Sequence, residues 1–233
     1  IKDHSINALA GFIISRETDD NLYRSSVDFR SAKPGDQSVD GGSVKSTPTK
    51  DKMRASSVSA IARIFYNYKD KYYLTTNFRQ DGSGKFSEGH KWGSFPSFSA
   101  GWRISEESFF KKTSNGISEL KLRAGWGIVG NDRIPAFARF GLVDTAAPKY
   151  LIGGSVRTAY VPSSLENVDL TWEKTNQVDI GLDMGLFKNR LMITADYYHK
   201  KTTDMLLAVP IPTTTGYSSA WQNAGSLENK GFE

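Results

Sequence analysis

The 233-residue chain carries 30 lysines and arginines against 25 aspartates and glutamates, a net charge of +5, with 38% hydrophobic residues and no cysteine. That composition excludes a disulfide scaffold and any thiolate metal site, and basic residues spread along the chain rather than gathered into a block argue against a nucleic-acid partner. No run of eighteen apolar residues occurs, which excludes a transmembrane helix but leaves transmembrane strands open, since these need only every second residue apolar.

Helical periodicity is nearly absent, and period-two alternation runs through most of the chain. The opening IKDHSINALAGF already reads as the interior of a strand, so we expect the chain to be a fragment of a longer protein. In SVSAIARIFYNYKDKYYLTTNFRQD, Val58, Ala60, Ala62, Ile64, Tyr66 and Tyr68 alternate with Ser57, Ser59, Ile61, Arg63, Phe65 and Asn67. After a tight turn at Lys69-Asp70, Tyr72, Leu74, Thr76 and Phe78 alternate with Thr75, Asn77, Arg79 and Asp81, which predicts a hairpin with one apolar and one polar face. Further along, Phe98, Ala100, Trp102 and Ile104 oppose Ser97, Ser99, Gly101 and Arg103; Leu120, Leu122, Ala124, Trp126 and Ile128 oppose Lys121, Arg123, Gly125 and Gly127. Val178, Ile180 and Leu182 oppose Gln177, Asp179, Gly181 and Asp183, and Leu191, Ile193, Ala195 and Tyr197 oppose Thr194, Asp196, Tyr198 and Lys200. With INALAGFII at the start and a weaker stretch near 218–230, the pattern predicts about eight strands.

Connections alternate in length. Lys69-Asp70 and FKNR (187–190) are tight turns and SEESFFKKTSNGI (105–117) is a modest link, whereas 17–52, 82–91, 130–170 and 204–217 are long and rich in turn-forming residues. All the short connections therefore fall at one end of the sheet. Alternation by itself fits a soluble sandwich, whose apolar face is a core, and a membrane barrel, whose apolar face meets lipid. The asymmetry of turns and loops favours the barrel, as do the aromatics gathered beside the short turns, Tyr66, Tyr68, Tyr72, Tyr73 and Trp102. So does the polar face, which collects Arg63, Arg79, Asp81, Arg103, Lys121, Arg123, Asp179, Asp183, Asp196 and Lys200. A cation at the lipid-facing midplane costs roughly 2–4 kcal/mol, so this segregation has a physical reason; Lys174 breaks the pattern beside a long loop, where the cost is small.

Three stretches carry a resemblance: YYLTTNFRQDGSGKFSEGHKWGSFPSFSAGWRISEESFF, ISELKLRAGWGIVGND, and LTWEKTNQVDIGLDMGLFKNRLMITADYYHKKTTDMLLAVPIPTTTGYSSAWQNAGSLENKGFE. In one order across about residues 57–233, they closely resemble SusC/RagA-type TonB-linked outer-membrane proteins of Bacteroidetes. The resemblance implies an all-β fold, an antiparallel transmembrane β-barrel of about 22 strands around a plug. Residues 1–233 would be a middle-to-late slice of that barrel with about eight of its strands, without the plug and TonB-contacting segments. It further implies uptake of large nutrients, glycans or peptides, across the cell outer membrane. The implied partners are a SusD-like surface lipoprotein acting as a lid, TonB through the N-terminal parts, and the lipid and lipopolysaccharide of the outer membrane. No nucleic acid, cofactor or catalytic residue is implied.

Other motifs are weaker. GSGKF (82–86) lacks the spaced first glycine and the following Ser/Thr of a phosphate loop, and His4, His90 and His199 are too scattered for metal-ligand spacing. Glu106-Glu107 sit in a short link whose Phe109 and Phe110 suggest packing, while Asp179 and Asp183 share a face and would fit a glycosidase pair less well than a lumen lining. The candidate lumen-lining residues are Arg79, Asp81, Arg103, Lys121, Arg123, Asp179, Asp183 and Asp196, and lid and ligand contacts are expected in the long loops. Two alternatives stand beside the importer. A small-ligand receptor for siderophores or vitamins would share the fold, and a secreted β-sandwich carbohydrate-binding module would bury Leu74, Phe78, Phe98, Leu122, Ile180 and Ile193 in one core.

Overall fold

The computed structural model describes residues 3–23, 26–29, 42–45, 49–113, 116–144, 149–158, 160–217 and 219–233. Eight strands form one sheet: β1 (His4–Tyr23), β2 (Thr49–Tyr68), β3 (Tyr72–Ser83), β4 (Trp92–Arg103), β5 (Ile117–Asn131), β6 (Glu173–Leu186), β7 (Leu191–Thr203) and β8 (Ser226–Phe232). Strands adjacent in the chain are adjacent in the sheet, and each pair from β2 to β8 is antiparallel. The sheet is not closed: β1 and β8 are its outer strands.

The short connections are built as the sequence suggests. Lys69 and Asp70 take positive φ of 54° and 52°, and Lys71 donates its N–H to the Tyr68 carbonyl at 3.0 Å. Such a turn matches the twist of the flanking strands. In the β6–β7 turn Phe187, Lys188 and Asn189 all have positive φ, an unfavourable conformation for Phe. It is held where Phe187 N–H meets the Gly116 carbonyl at 2.9 Å and Lys188 N–H meets Ser118 Oγ at 2.6 Å. The β4–β5 link holds a 3-10 turn (Ile104–Glu106) and a short helix (Ser108–Thr113). Its Phe109 is exposed and its Phe110 half-buried.

Register sorts the side chains onto two faces, because directly opposite residues point the same way. The row Tyr66–Leu74–Ala100–Ala124–Ile180–Tyr197 runs across one face, and Arg63–Asn77–Ser97–Gly127–Gln177–Lys200 across the other. Leu74, Phe78, Phe98, Leu122, Ile180 and Ile193 are 39–49% exposed. A sandwich core would hide these six side chains, so they form an outward apolar belt instead. Tyr73 departs from the expectation that it joins the outward aromatics. Its odd position turns it to the polar face, where it lies against Phe65 and beneath the Lys121 ammonium.

The buried apolar cluster of the described residues sits at the long-loop end, where Phe95 of β4 meets residues of the loops. Phe86, Phe95, Ile134, Ala138, Leu170, Trp172 and Leu206 pack together, with Phe86 and Leu170 fully buried. The segments expected to be plain loops carry short strand pairs: Val143–Asp144 with Val161–Pro162, Lys149–Ile152 with Ser155–Thr158, and Leu206–Pro210 with Ser219–Asn223. The single weak strand expected near 218–230 is therefore two, the second being β8. Ser15–Ser56 is a unit distinct from the rest. It holds the far parts of β1 and β2, a pair formed by Ser26–Phe29 and Gly42–Lys45, and a 3.5 Å contact between Asp20 and Lys52. Strands thus extend into the predicted 17–52 loop, while 30–41 lies outside the described residues.

Candidate functional site

The polar face carries charges of both signs, several of them paired, and Arg123 is the hub of one group. On β5 it stands opposite Gly101 of β4 and Gly181 of β6. Its Nε donates to Asp183 Oδ2 at 2.8 Å, and its Nη2 donates to Asp183 Oδ1 at 3.0 Å and Asp196 Oδ1 at 2.9 Å. A guanidinium can serve two carboxylates in this way because its donors form a rigid fork. Gly181 makes room for it: a Cβ there would come within 2.7 Å of the Arg123 guanidinium and would also strike the Asp196 carboxylate.

The other predicted residues find separate partners. Arg79 Nε donates to its strand neighbour Asp81 at 2.7 Å, and Arg79 Nη2 donates to Ser59 Oγ at 3.2 Å. Arg103 Nε lies 3.5 Å from Glu119 Oε1, and Lys121 Nζ sits 5.3 Å from the Tyr73 ring centre. Asp179 accepts from Gln177 Nε2 at 2.9 Å. The structure therefore unites Arg123, Asp183 and Asp196 and leaves Arg79–Asp81, Arg103, Lys121 and Asp179 in local pairs. Glu119, Tyr73 and Gln177 were missed as members; parity placed Gln177 on this face, but only register shows what it and the others touch.

Phe65, Tyr73, Lys121, Arg123, Asp179 and Gly181 line a depression of about 470 Å³ on this face. Chemically it offers Arg123 held by its two carboxylates, Lys121 over the Tyr73 ring, Asp179 bound by Gln177, aromatic edges and bare backbone. Both oxygens of Asp183 are engaged by Arg123, so the suggested Asp179–Asp183 pair is not arranged as a free acid and base. Among the described residues no group of three His, Asp or Glu side chains could hold a metal ion.

The loop end is tied together by polar contacts around its apolar cluster. Trp172 Nε1 donates to the Lys91 carbonyl at 3.1 Å, Asn167 Nδ2 to the Trp221 carbonyl at 2.8 Å, and Asn223 Nδ2 to the Thr171 carbonyl at 2.8 Å. The GSGKF motif is part of this packing. Lys85 Nζ donates to the Asp132 carbonyl at 3.1 Å, Ser83 Oγ to Asp132 Oδ2 at 2.8 Å, and Arg139 Nη1 to the Phe86 carbonyl at 3.0 Å.

At the opposite, short-turn end, Tyr68, Tyr72 and Trp102 stack in a row, with Tyr72 and Trp102 inclined by only 10°. Glu107 from the β4–β5 link clasps that row. It accepts from Tyr72 Oη at 2.6 Å, Lys71 Nζ at 2.9 Å and Trp102 Nε1 at 3.3 Å. The Tyr72 hydroxyl first, then Lys71, hold its carboxyl well below the usual range, at about 2.

An outward apolar belt, an aromatic row at one end and a charged inner face form the cross-section of a membrane barrel wall, and known proteins agree with it. Residues 3–233 match the family described as TonB dependent receptor-like, beta-barrel. A TonB-dependent receptor of Formosa agariphila is 39% identical over 231 residues, which cover 99% of this chain and 22% of that protein. The TonB-dependent receptor SusC of Bacteroides thetaiotaomicron is 39% identical over 184 residues, covering 77% of this chain and 18% of SusC. The solved RagAB peptide transporter superposes with a TM-score of 0.83 at 28% identity, over 100% of this chain and 25% of that one. The chain thus spans about a fifth to a quarter of the length of these relatives. With the exposed belt explained by lipid and the match running from end to end, the chain belongs to the TonB-dependent receptor β-barrel family and is an outer-membrane segment of SusC/RagA type.

Proposed function

We propose that this chain forms part of the barrel wall of a TonB-dependent importer of large nutrients, glycans or peptides. The single observation that carries the reading is the two-faced sheet: an exposed apolar belt on one side and the Arg123–Asp183–Asp196 lattice on the other. The likeness to SusC and to a peptide transporter supports the cargo class.

In this reading the chain supplies about eight of about 22 strands, and Arg79, Asp81, Arg103, Lys121, Arg123, Asp179, Asp183 and Asp196 line the lumen. Their balance of cations and carboxylates leaves a nearly neutral wall, suited to a plug that must seat firmly yet be moved. TonB acts through parts of the protein N-terminal to these strands. A SusD-like lipoprotein closes over the loop end, whose packed cluster gives a lid a rigid rim. The wall performs no covalent chemistry; it holds, lines and seats.

Uptake tests this directly. A strain lacking the full-length importer should lose growth on one class of polymeric glycan or peptide as sole nutrient while growing normally on the corresponding monomers. Wild-type cells stripped of TonB should show the same defect. Unimpaired growth on every polymer, or uptake that continues without TonB, would overturn the proposal.

A further inference from the structure

The sheet is not laced evenly. β3 and β4 pair as far as Gly82 with Trp92, and β5 and β6 as far as Asn131 with Glu173, but β4 and β5 pair only from Arg103 with Lys121 to Ser97 with Gly127. Residues 92–96 of β4 and 128–131 of β5 therefore flank a seam with no ladder across it. At about 3.4 Å per residue the seam runs about 14–17 Å down from the loop end. The ladder stops at Pro96, which has no N–H to carry it on.

Side chains close the seam instead. The Phe95 ring lies in it, and a Cβ at Gly93 or Gly130 would strike that ring, so glycine on both strands leaves it room. Trp172 meets Phe95 edge-on with ring centres 5.3 Å apart, and Phe86 at the same separation. Ile128, of the outward row, packs against the same cluster, so the wedge reaches both faces of the wall.

Hydrogen bonds then clasp residues 83–91 to residues 132–172. They run from Ser83 Oγ to Asp132 Oδ2, Lys85 Nζ to the Asp132 carbonyl, Arg139 Nη1 to the Phe86 carbonyl and Trp172 Nε1 to the Lys91 carbonyl. Each of them uses a side chain; among the described residues no backbone–backbone hydrogen bond crosses the seam. A wall that had only to be shut could run its ladder to the rim, since both strands stay extended there with one edge already paired. A clasp of side chains can part as a unit and leave every strand pairing intact.

We propose that the β4–β5 seam is a joint in the rim of the importer, shut at rest by the Phe95–Trp172 wedge and opened to widen the mouth for polymeric cargo. Opening parts the two clasped segments while the paired wall below Ser97 and Gly127 stays closed. Phe95 and Trp172 thereby set the size of cargo that enters. The proposal deepens the importer reading and rests on it for the cargo, but not for the joint itself.

Two readouts keep joint and cargo apart. Spin labels on Glu88→Cys and Arg133→Cys, exposed positions on either side of the seam, are read in the purified full-length protein in lipid vesicles; this chain contributes no other cysteine. With the wedge intact one distance should dominate. Trp172→Ala should raise the population of a longer one at least about fivefold, and Trp172→Phe, which keeps a ring but loses the hydrogen bond to Lys91, should fall between. Heat-modifiable mobility reports folding of each variant. The same single distance in all three overturns the joint.

In cells, Ser83→Cys/Asp132→Cys, whose native side chains touch at 2.8 Å, is bridged by a short reducible cross-linker. Uptake of a polymeric glycan or peptide should fall at least about tenfold and return on reduction, while the shortest oligomer carried passes as before. Gln80→Cys/Ser94→Cys, bridged at the same height across the paired β3–β4 ladder, should change neither. Polymer uptake unaffected by the lock, or equal loss of polymer and oligomer, overturns the size gate. A reduced protein that carries nothing refutes the importer reading instead, and the label distances then still decide the seam.

Discussion

Arg123 concentrates the residue-scale logic of the polar face. It and its two partners are partly solvated, with side-chain exposures of 37%, 26% and 28% for Arg123, Asp183 and Asp196. Losing one partner of a fully buried ion pair costs about 3–5 kcal/mol, and an exposed pair is worth about 0–1. Arg123→Gln is therefore expected to destabilise the barrel by about 1–2 kcal/mol, read as a lower urea midpoint in detergent. Adding Asp183→Asn should cost less than the sum of the single changes, because the second change removes a carboxylate already left alone. Arg123→Lys should recover only part, since an ammonium cannot fork across two carboxylates. Strict additivity would show that the lattice is not coupled. Parity alone set these three side chains on one face. It could not pair Arg123 with Asp183 and Asp196, which are 60 and 73 residues distant in the chain; only the register of β5, β6 and β7 brings them together.

Strands and turns were the most legible elements, because alternation has a fixed period and a tight turn such as Lys69-Asp70 leaves room for one register. Loop packing was not legible. Phe86 follows a Gly-Ser-Gly-Lys run that reads as flexible, yet it is fully buried against partners from four separate segments. No local period marks such a residue; it is buried because distant loops meet above the sheet. The β4–β5 link gives the element scale its own test through Glu107, which lies outside the strands. Its folded value of about 2 is below the ordinary 4.5. The stability it contributes is complete above about pH 4.5 and is lost as pH falls toward 2. Glu107→Gln should therefore lower the unfolding midpoint at pH 6 and converge with wild type at the acid end. Glu106, lowered by its hydrogen bond from Lys111, shifts in the same direction and remains in the variant. A shallower fall is expected, not a flat line. Parallel curves for the two proteins down to pH 2 would deny Glu107 its place as the clasp of Tyr72 and Trp102.

At the scale of the whole molecule, the fold is organised around where the apolar surface goes. A soluble protein of this size would gather Leu74, Phe78, Phe98, Leu122, Ile180 and Ile193 inward; here they stay 39–49% exposed in a band, and the buried apolar cluster of the described residues sits at the loop end. Lipid is the solvent that makes such a surface stable. The cost of a charge on this band should then depend on height and not on side-chain exposure. Ile180 lies in the middle of β6 and Ser94 near the loop end of β4, both facing outward. Ile180→Arg should cost about 2–4 kcal/mol of folding free energy in lipid vesicles, and Ser94→Arg only about 0–1. On a sheet face that met water both would be nearly neutral surface changes. Folding titrations of the full-length barrel into vesicles measure the difference. Equal costs for the two arginines would remove lipid as the partner of the outward face, and with it the reason that the charged lattice lies on the other side.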